Sequence, residues 1–190
     1  MSSRTEELQE TILEGTIAVY REKGIHFTMD DLARHLGMSK KTIYTVFREK
    51  DELLLTLVDY MFNSIKKSEQ KILEDPSLTT IEKIHTILGV IPDGYKNIDF
   101  RELSVLREKF PRIYEQLQMR LETDWEGTIA LLEQGMEEGV IRRFPIPILK
   151  MMLEASLEQF FQRDVLKANN LTYQEGLKEV VDILVNGITA

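Results

Sequence analysis

Apolar residues recur along most of the chain at intervals of three or four positions, the spacing of a helix that buries one face. Gly, Pro and Asn mark the gaps between these segments, and neither a strand-like alternation nor an internal repeat interrupts them. The pattern therefore predicts an all-α protein. The predicted helices cover residues 5–23, 29–36, 39–47, 51–74, 79–91, 99–109, 112–138, 147–168 and 172–188.

The stretch 28–48 has the pattern of two short helices joined by a tight turn. Thr28 and Ser39 stand where each helix would begin, and their hydroxyls suit the N-cap position. Gly37 tolerates the positive φ that the turn needs, and the small Ala33 lets the two helices approach each other. The apolar residues expected in the core are Leu32, Leu36, Met38, Ile43 and Val46 or Phe47. This combination predicts a helix-turn-helix.

Length and composition leave room for a body beyond this motif. The chain has 190 residues, of which 43% are apolar, enough for one large or two small domains. We expect a helix-turn-helix domain over residues 1–50 and a larger helical domain over residues 51–190. The absence of cysteine excludes disulfides, thiolate metal sites and cysteine nucleophiles.

The apolar segments are too short for a membrane protein. None reaches the roughly 18 residues that cross a bilayer. The acidic N-terminal segment also lacks the cationic start and apolar run of a signal peptide. We therefore expect a cytoplasmic protein with no membrane partner.

The formal net charge of −8 at pH 7 is unevenly distributed. Residues 1–50 are balanced, so the whole acidic excess belongs to residues 51–190. Within the first part, the stretch 34–50 contains five Lys or Arg side chains against Glu49 alone. A cationic patch therefore lies on an anionic protein, which would restrict any contact with nucleic acid to one surface.

The second helix of the motif presents positive charge on one side. If its apolar residues face inward, the outward face carries Lys40, Lys41, Tyr44, Thr45 and Arg48, and no acidic residue. Such a helix fits the major groove of DNA, where its polar side chains, Thr42 included, could reach base edges or phosphates. Ser39 and the free amides at the helix start could hold a phosphate. The alternative is a basic, solvated helix in an ordinary helical hairpin.

These residues resemble the DNA-binding domain of the TetR (tetracycline-repressor) family of bacterial regulators. The resemblance covers residues 5–55 and implies three N-terminal helices that read DNA and about six more that form a ligand-binding and dimerisation body. It rests on the runs Thr28-Met29-Asp30-Asp31-Leu32-Ala33, Gly37-Met38-Ser39 and Thr42-Ile43-Tyr44-x-x-Phe47-x-x-Lys50-x-x-Leu53.

The resemblance also implies a role for each matching residue. Thr28 would cap the second helix and touch a phosphate, and Lys50 would contact a phosphate at the start of the fourth helix. Tyr44 would contact the DNA backbone. The residues expected in or beside the major groove are Lys40, Lys41, Thr42 and Thr45. Lys41 stands where the family often has a small residue.

The last two predicted helices have a wider apolar arc than one core requires. Consecutive apolar pairs, such as those at 151/152 and 180/181, point about 100° apart on a helix. A second copy of the chain could cover the extra side, and the family resemblance implies the same homodimer. The alternative is that both helices are buried within one subunit. The expected interface residues are Met152, Ser156, Phe160, Leu177, Val181 and Leu184.

The intervening helices could enclose a cavity for a small, largely apolar effector. Apolar stripes run along the predicted helix 112–138 and along the fourth helix just after the DNA-binding lobe. Plain core packing is the alternative for each residue, and the family resemblance is what favours a cavity. A ligand that moved the fourth helix would then change DNA binding. The residues expected at the effector are Met61, Phe62, Ile65, Tyr95, Arg107, Leu121 and Trp125.

These observations predict a ligand-responsive transcriptional regulator, a repressor, that binds a palindromic DNA operator as a homodimer without cofactor, metal or catalytic activity. The alternative is a helical-bundle enzyme or carrier with an incidental helix-turn-helix. Glu82-x-x-His85 matches half of a di-iron signature, but no histidine follows His85 to complete it. A third hypothesis is an adaptor that binds protein through the basic helix.

Overall fold

The computed structural model describes residues 3–95, 107–163 and 165–190. Over these ranges the protein is helical, as predicted, and its one β contact is an isolated bridge between Ile141 and Thr189. No helix in them is long and apolar enough to span a membrane. The helices are α1 (Ser3–Lys23), α2 (Met29–Leu36), α3 (Lys40–Tyr44), α4 (Lys50–Glu74), α5 (Thr80–Leu88), α6 (Pro111–Glu122), α7 (Glu126–Glu138), α8 (Ile146–Gln162), α9 (Val165–Ala168) and α10 (Tyr173–Ile188), with 3-10 turns at Gly24–His26 and Asp93–Tyr95.

Hydroxyl caps fix the start of several helices. The Thr28 hydroxyl accepts a hydrogen bond from the Asp31 amide at 3.1 Å, and the Asp31 carboxylate accepts one from the Thr28 amide at 2.9 Å. The same reciprocal box begins α5 at Thr79 and α10 at Thr172. Ser39 accepts a hydrogen bond from the amide three residues on at 3.1 Å. The predicted caps at Thr28 and Ser39 are confirmed.

Helix α3 is shorter than the pattern indicated. The prediction of a helix over 39–47 was wrong at its end, because α3 stops at Tyr44. The Thr45 hydroxyl donates to the Thr42 carbonyl at 2.6 Å, and the Thr45 amide is shared between two carbonyls of α3, which tightens the last turn. Phe47 still reaches the core and is 2% exposed.

The prediction of one continuous helix over 112–138 was wrong. The chain breaks between α6 and α7, where Asp124 has a φ of +64°, a conformation that Asp tolerates better than most residues. Lys66 donates to the Asp124 carbonyl, and Lys150 donates to the Glu122 carbonyl at 2.8 Å. Two distant lysines thus occupy carbonyls near the end of α6, which local spacing could not indicate.

Two other boundaries also differ from the prediction. The helix predicted over 147–168 is divided into α8 and α9, and the helix predicted over 79–91 ends at Leu88, before Gly89. Residues 99–106 of the helix predicted over 99–109 lie outside the described residues, and 107–109 are helical.

Two hydrophobic cores hold the helices together. The first joins α1, α2, α3 and α4 to Tyr95 and to the start of α6 through Ile113 and Tyr114. The second packs α5, α7, α8 and α10 around Leu132 and Val181, which are 0% and 1% exposed. Because α4 contributes to the first core, packing continues across residue 50, where the sequence predicts a domain boundary.

Candidate DNA-binding surface and effector cavity

In the helix-turn-helix, a glycine in the left-handed conformation forms the turn, and apolar side chains on one side of α3 pack in the core. Gly37 has a φ of +62°, and the Met38 amide donates to the Ala33 carbonyl at 3.0 Å, which ends α2. Ile43 is 0% exposed, and Phe47 follows it into the same core. The opposite side of α3 therefore faces solvent.

The outward side of α3 carries most of the residues predicted for DNA binding. Thr42 is partly buried, because its amide and hydroxyl both contact Ser39. Tyr44 is 45% exposed, which leaves its ring and hydroxyl accessible to a partner. The exposed residues of this side are Ser39, Lys40, Lys41, Tyr44, Thr45 and Arg48.

One acidic side chain from α2 reaches this outward side. The Lys40 Nζ lies 2.8 Å from the Asp30 Oδ1, and the hydrogen bond to Asp30 raises the pKa of Lys40. The prediction of a face without acidic residues considered α3 alone and missed this neighbour. Within the described ranges, no carboxylate lies at ion-pair distance from the side chains of Lys41 or Arg48, so their charges are available to phosphates.

A second charged cluster lies at the start of α2. The Lys23 Nζ lies 2.5 Å from the Asp31 Oδ1, and hydrogen bonds from Lys23 and from Thr28 hold the pKa of Asp31 well below its usual range. Arg34 is 77% exposed at its side chain and lies 3.6 Å from Asp31. Sequence reasoning did not select Arg34 as a site residue, although its place in the cationic stretch 34–50 was an available signal.

Lys50 is turned toward the inside of the protein. Its Nζ donates to the carbonyls of Ile25 and Phe27, each at 2.6 Å. The ammonium also lies 4.1 Å from the centroid of the Phe27 ring and 5.6 Å from that of Phe110. Burial lowers the pKa of Lys50. The sequence predicted a phosphate contact for this ammonium, whereas in the structure two of its three N–H donors are given to internal acceptors. Sequence spacing gave no sign of these acceptors.

A cavity of about 220 Å³ lies between α1, α4, α5 and α6, with further wall residues from α7, α8 and α10. Arg107, one of the seven residues expected at the effector, is exposed and is not among the residues that line this cavity. It belongs to the helical residues 107–109, which precede Phe110, and its side chain is exposed to solvent. The predicted residues that do line the cavity are Met61, Phe62, Ile65, Tyr95, Leu121 and Trp125.

The charged side chains in the described part of the cavity wall each have an oppositely charged partner within the protein. The Lys66 Nζ lies 2.7 Å from the Glu69 Oε2 and also donates to the Asp124 carbonyl. Burial raises the pKa of Glu69. Arg120 Nη2 lies 3.2 Å from the Asp124 Oδ2 and 3.1 Å from the Asn63 Oδ1. The cavity is therefore an apolar space with one polar end, where the charges are paired but the buried Arg120 Nε has no hydrogen-bond partner among the described residues.

Sequence reasoning missed this polar end, although a signal was present. Lys66 and Glu69 follow Phe62 at four and seven positions and so lie on the same face of α4. The apolar stripe predicted along 112–138 runs from Tyr114 to Leu132. Its middle lies in the cavity wall, which includes Leu117 and Thr128 besides the predicted effector residues. Its ends, Tyr114 and Leu132, lie in the first and second core.

Three of the six residues predicted for a dimer interface are buried in their own subunit. Leu177, Val181 and Leu184 are 5%, 1% and 7% exposed and belong to the second core, so the prediction of interface roles was wrong for them. Phe160 packs edge-on against Tyr173, with ring centroids 6.1 Å apart. The alternative, burial within one subunit, applies to this side of α10.

A different apolar surface remains exposed on α8 and α10. Met152 is 47% exposed, and the Ser156 hydroxyl donates to its carbonyl, so these two predicted residues do lie near the surface. Ile183 on α10 is 68% exposed. We call this surface the apolar seam, and it consists of Ile148, Met151, Met152, Ala155 and Ile183.

The half di-iron signature has structural partners. Glu82 closes the N-terminal box of α5 with Thr79, and the His85 Nε2 lies 2.5 Å from the Asp182 Oδ1 of α10. In the part of the chain that the structure describes, no three His, Asp or Glu side chains come together as a metal-binding group.

A helix-turn-helix with an outward basic helix, joined to a helical body with a cavity, defines a DNA-binding transcriptional regulator. Residues 12–57 match the family of bacterial regulatory proteins described as the tetR family. The chain is 30% identical over 183 residues, 96% of each chain, to the uncharacterized HTH-type transcriptional regulator YvaF of Bacillus subtilis (strain 168). The protein belongs to the TetR family of transcriptional regulators.

Solved structures of low sequence identity share the whole fold. A TetR transcription regulator from Haloarcula marismortui ATCC 43049 superposes with a TM-score of 0.73 at 16% identity, covering 97% of this chain and 100% of that one. A TetR-family regulator from Cytophaga hutchinsonii gives a TM-score of 0.71 at 14% identity, covering 100% of this chain and 98% of that one. The likeness therefore extends over the body as well as the helix-turn-helix.

Proposed function

We propose that the protein is a cytoplasmic repressor that binds a palindromic operator as a homodimer and is switched by a small, uncharged, largely apolar effector. The observation that carries this proposal is the course of α4. Its first turns, with Leu53 and Leu57, pack in the core of the DNA-binding lobe. Further along, Met61 and Ile65 line the cavity. One helix thus contacts both regions that a ligand-controlled regulator must connect.

The charges on α3 support DNA as the partner of the helix-turn-helix. Lys41 and Arg48 face solvent without a carboxylate partner among the described residues. Thr45 and Tyr44 lie between them on the same side. Since the acidic excess belongs to residues 51–190, the body would be repelled by phosphates while the basic helix approached the groove.

The apolar seam supports a homodimer. Its members on α8 recur at the spacing of one helix face, and Ile183 is exposed on α10, the helix that packs against α8. Exposed apolar side chains grouped on one face are typical of interaction surfaces. A second copy of the chain would cover the seam by two-fold symmetry and present two reading helices to a palindromic site.

The cavity supports an uncharged effector. Lys66 is paired with Glu69, and Arg120 with Asp124, so an ionised ligand would find no unpaired opposite charge among these groups. A ligand that favoured one position of α4 over another would shift the separation of the two reading helices.

The test of the proposed function is selection of DNA from a randomised duplex library by the purified full chain. We expect a two-fold symmetric sequence to be enriched. Its affinity should fall with salt at a log-log slope of about −0.9 per phosphate neutralised. Failure to enrich any sequence, with binding that ignores salt, would contradict the proposal and favour the protein-adaptor alternative.

A further inference from the structure

The surroundings of the Lys50 ammonium differ from those of an exposed phosphate-binding lysine. An ammonium has three N–H donors. Two of them are given to the carbonyls of Ile25 and Phe27, each at 2.6 Å. The same nitrogen lies against the aromatic faces of Phe27 and Phe110. Without displacing these contacts, a phosphate could use only the one N–H that remains.

The acceptors of Lys50 belong to the segment that joins α1 to α2. Ile25 lies in the 3-10 turn Gly24–His26, and Phe27 directly precedes Thr28, the cap of α2. Both residues are buried, at 2% and 1% exposure. Lys50 is the first residue of α4. Its side chain therefore joins α4 to the segment that sets where α2 begins.

The same contacts lead directly to the effector cavity. The side chain of Ile25 is part of the cavity wall. Phe110 is the residue from which α6 starts, and Ile113 in the first turn of α6 also lines the cavity. Lys50 therefore lies where α4, α6 and the α1–α2 segment meet. One of its acceptor residues, Ile25, borders the space that a ligand would fill.

We propose that Lys50 is an internal positioning residue that transmits the state of the cavity wall to the helix-turn-helix. Its ammonium fixes residues 25–28 against α4, so a displacement of Ile25 is passed to Thr28 and then to α2 and α3. This proposal rests on the proposed function, because it concerns how effector and DNA binding are connected. It replaces the phosphate contact expected from the motif.

The first test compares Lys50→Met with Lys41→Met, two substitutions that keep an unbranched side chain and remove one charge. We expect Lys50→Met to weaken binding to the selected duplex about tenfold without changing the salt slope. Lys41→Met should flatten that slope by about 0.9 per subunit if it loses one phosphate contact. Equal flattening by both substitutions would overturn the proposal, because Lys50 would then be a phosphate contact.

The second test needs no DNA and separates this proposal from the proposed function. Amide hydrogen exchange should become about tenfold faster over residues 25–29 in Lys50→Met and remain unchanged there in Lys41→Met. Unchanged exchange in Lys50→Met would overturn the positioning role. If the wild-type chain binds no DNA, the proposed function fails, while this measurement still decides the role of Lys50.

The third test measures the connection to the cavity wall by a double-substitution cycle. Ile25→Val removes one methylene group from the wall and leaves the backbone carbonyl in place. Its effect on DNA affinity should differ at least threefold between the wild type and Lys50→Met, and should be the same in the wild type and Lys41→Met. Additive effects of Ile25→Val and Lys50→Met would overturn the proposed transmission.

Discussion

Single polar side chains decide where the two helices of the DNA-binding motif begin. Asp31 accepts hydrogen bonds from Thr28 and from Lys23, and so joins the end of α1 to the start of α2. Ser39 performs the capping role for α3. Each of these groups stabilises the position of a helix that would contact DNA.

The lowered pKa of Asp31 predicts an acid-sensitive contribution to stability. Because the folded-state pKa lies below the ordinary value of about 3.9, the contribution is complete above that pH and is lost as the pH falls through the folded pKa. Asp31→Asn should therefore lower the free energy of unfolding most near pH 6. The difference from wild type should shrink below about pH 4 in urea unfolding experiments. A difference that stays constant with pH would contradict the assignment.

The paired charges of the cavity predict which ligands bind. A 220 Å³ space should hold about nine carbon atoms, scaled from the roughly 150 Å³ cavity that holds benzene. We expect propylbenzene and 3-phenylpropanol to bind at least tenfold more tightly than 3-phenylpropanoate or 3-phenylpropylammonium, measured by calorimetry. Leu121→Trp, which fills the cavity from α6, is the control and should weaken the neutral ligands. Equal affinity for either ion would show that the wall has an uncompensated charge.

Local spacing predicted the caps, whereas partners distant in sequence could not be predicted. Thr28 and Asp31 are three residues apart, and a helix start requires just such a pair. The acceptors of Lys50 lie 25 and 23 residues away, and Asp30 lies ten residues from Lys40. Their meeting depends on how α1, α2 and α4 pack, which the motif alone does not specify.

At the level of elements, one glycine determines how closely α1 approaches α2. A Cβ added at Gly15 would lie 2.4 Å from the Leu36 Cδ2, closer than van der Waals contact allows. Gly15 lies at helical spacing from the apolar Ile12 and Val19, but the sequence gives no indication of this partner. The glycine thus allows the end of α2 to pack directly on the α1 backbone.

This contact predicts that Gly15→Ala is destabilising although alanine favours helices. Overpacking typically costs about 1–3 kcal/mol, which offsets or exceeds the gain of about 1 kcal/mol from helix propensity. We expect chemical denaturation to give a net loss of up to about 2 kcal/mol. The matched control is Gly15→Ala combined with Leu36→Ala, which should lose less than the sum of the two single substitutions. Simple additivity would contradict the proposed close contact.

The helix boundaries differ in whether they depend on residues close in sequence or on residues far away. The start of α10 follows from Thr172 and Glu175, which are three residues apart in the sequence. The break between α6 and α7 depends on Asp124 and on lysines from α4 and α8. Because the apolar spacing continues across the break, the sequence pattern did not reveal it. Periodicity identified the faces of these helices correctly, yet it could not determine where the axis changes direction.

For the whole molecule, the apolar seam decides how two copies would associate. The interface residues expected on α10 were buried in the second core, because that helix packs against α5 and α8 of its own subunit. The sequence indicated excess apolar surface on the last helices but not which side each core would cover. The exposed positions on α8 and Ile183 are what remains for a partner.

The seam predicts the effect of a single charge on assembly. Ile183→Glu should weaken the dimer at least tenfold in sedimentation equilibrium, because two-fold symmetry would bury two carboxylates at one interface. Met119→Glu is the matched control, since Met119 on α6 is also exposed, at 49%, but lies outside the seam. Equal dissociation by both substitutions, or by neither, would exclude the seam as the interface.

The break at Asp124 has a consequence for how such a protein can diversify. It divides one side of the cavity into two helices: α6 packs against α4, whereas α7 packs mainly against α5 and makes a smaller contact with α4. Substitutions on α7 would therefore reshape the ligand space while leaving the contact between α4 and α6 in place, and substitutions on α6 need not disturb the second core. Under the proposed function, descendants of this chain would then acquire new effectors while they keep the same operator.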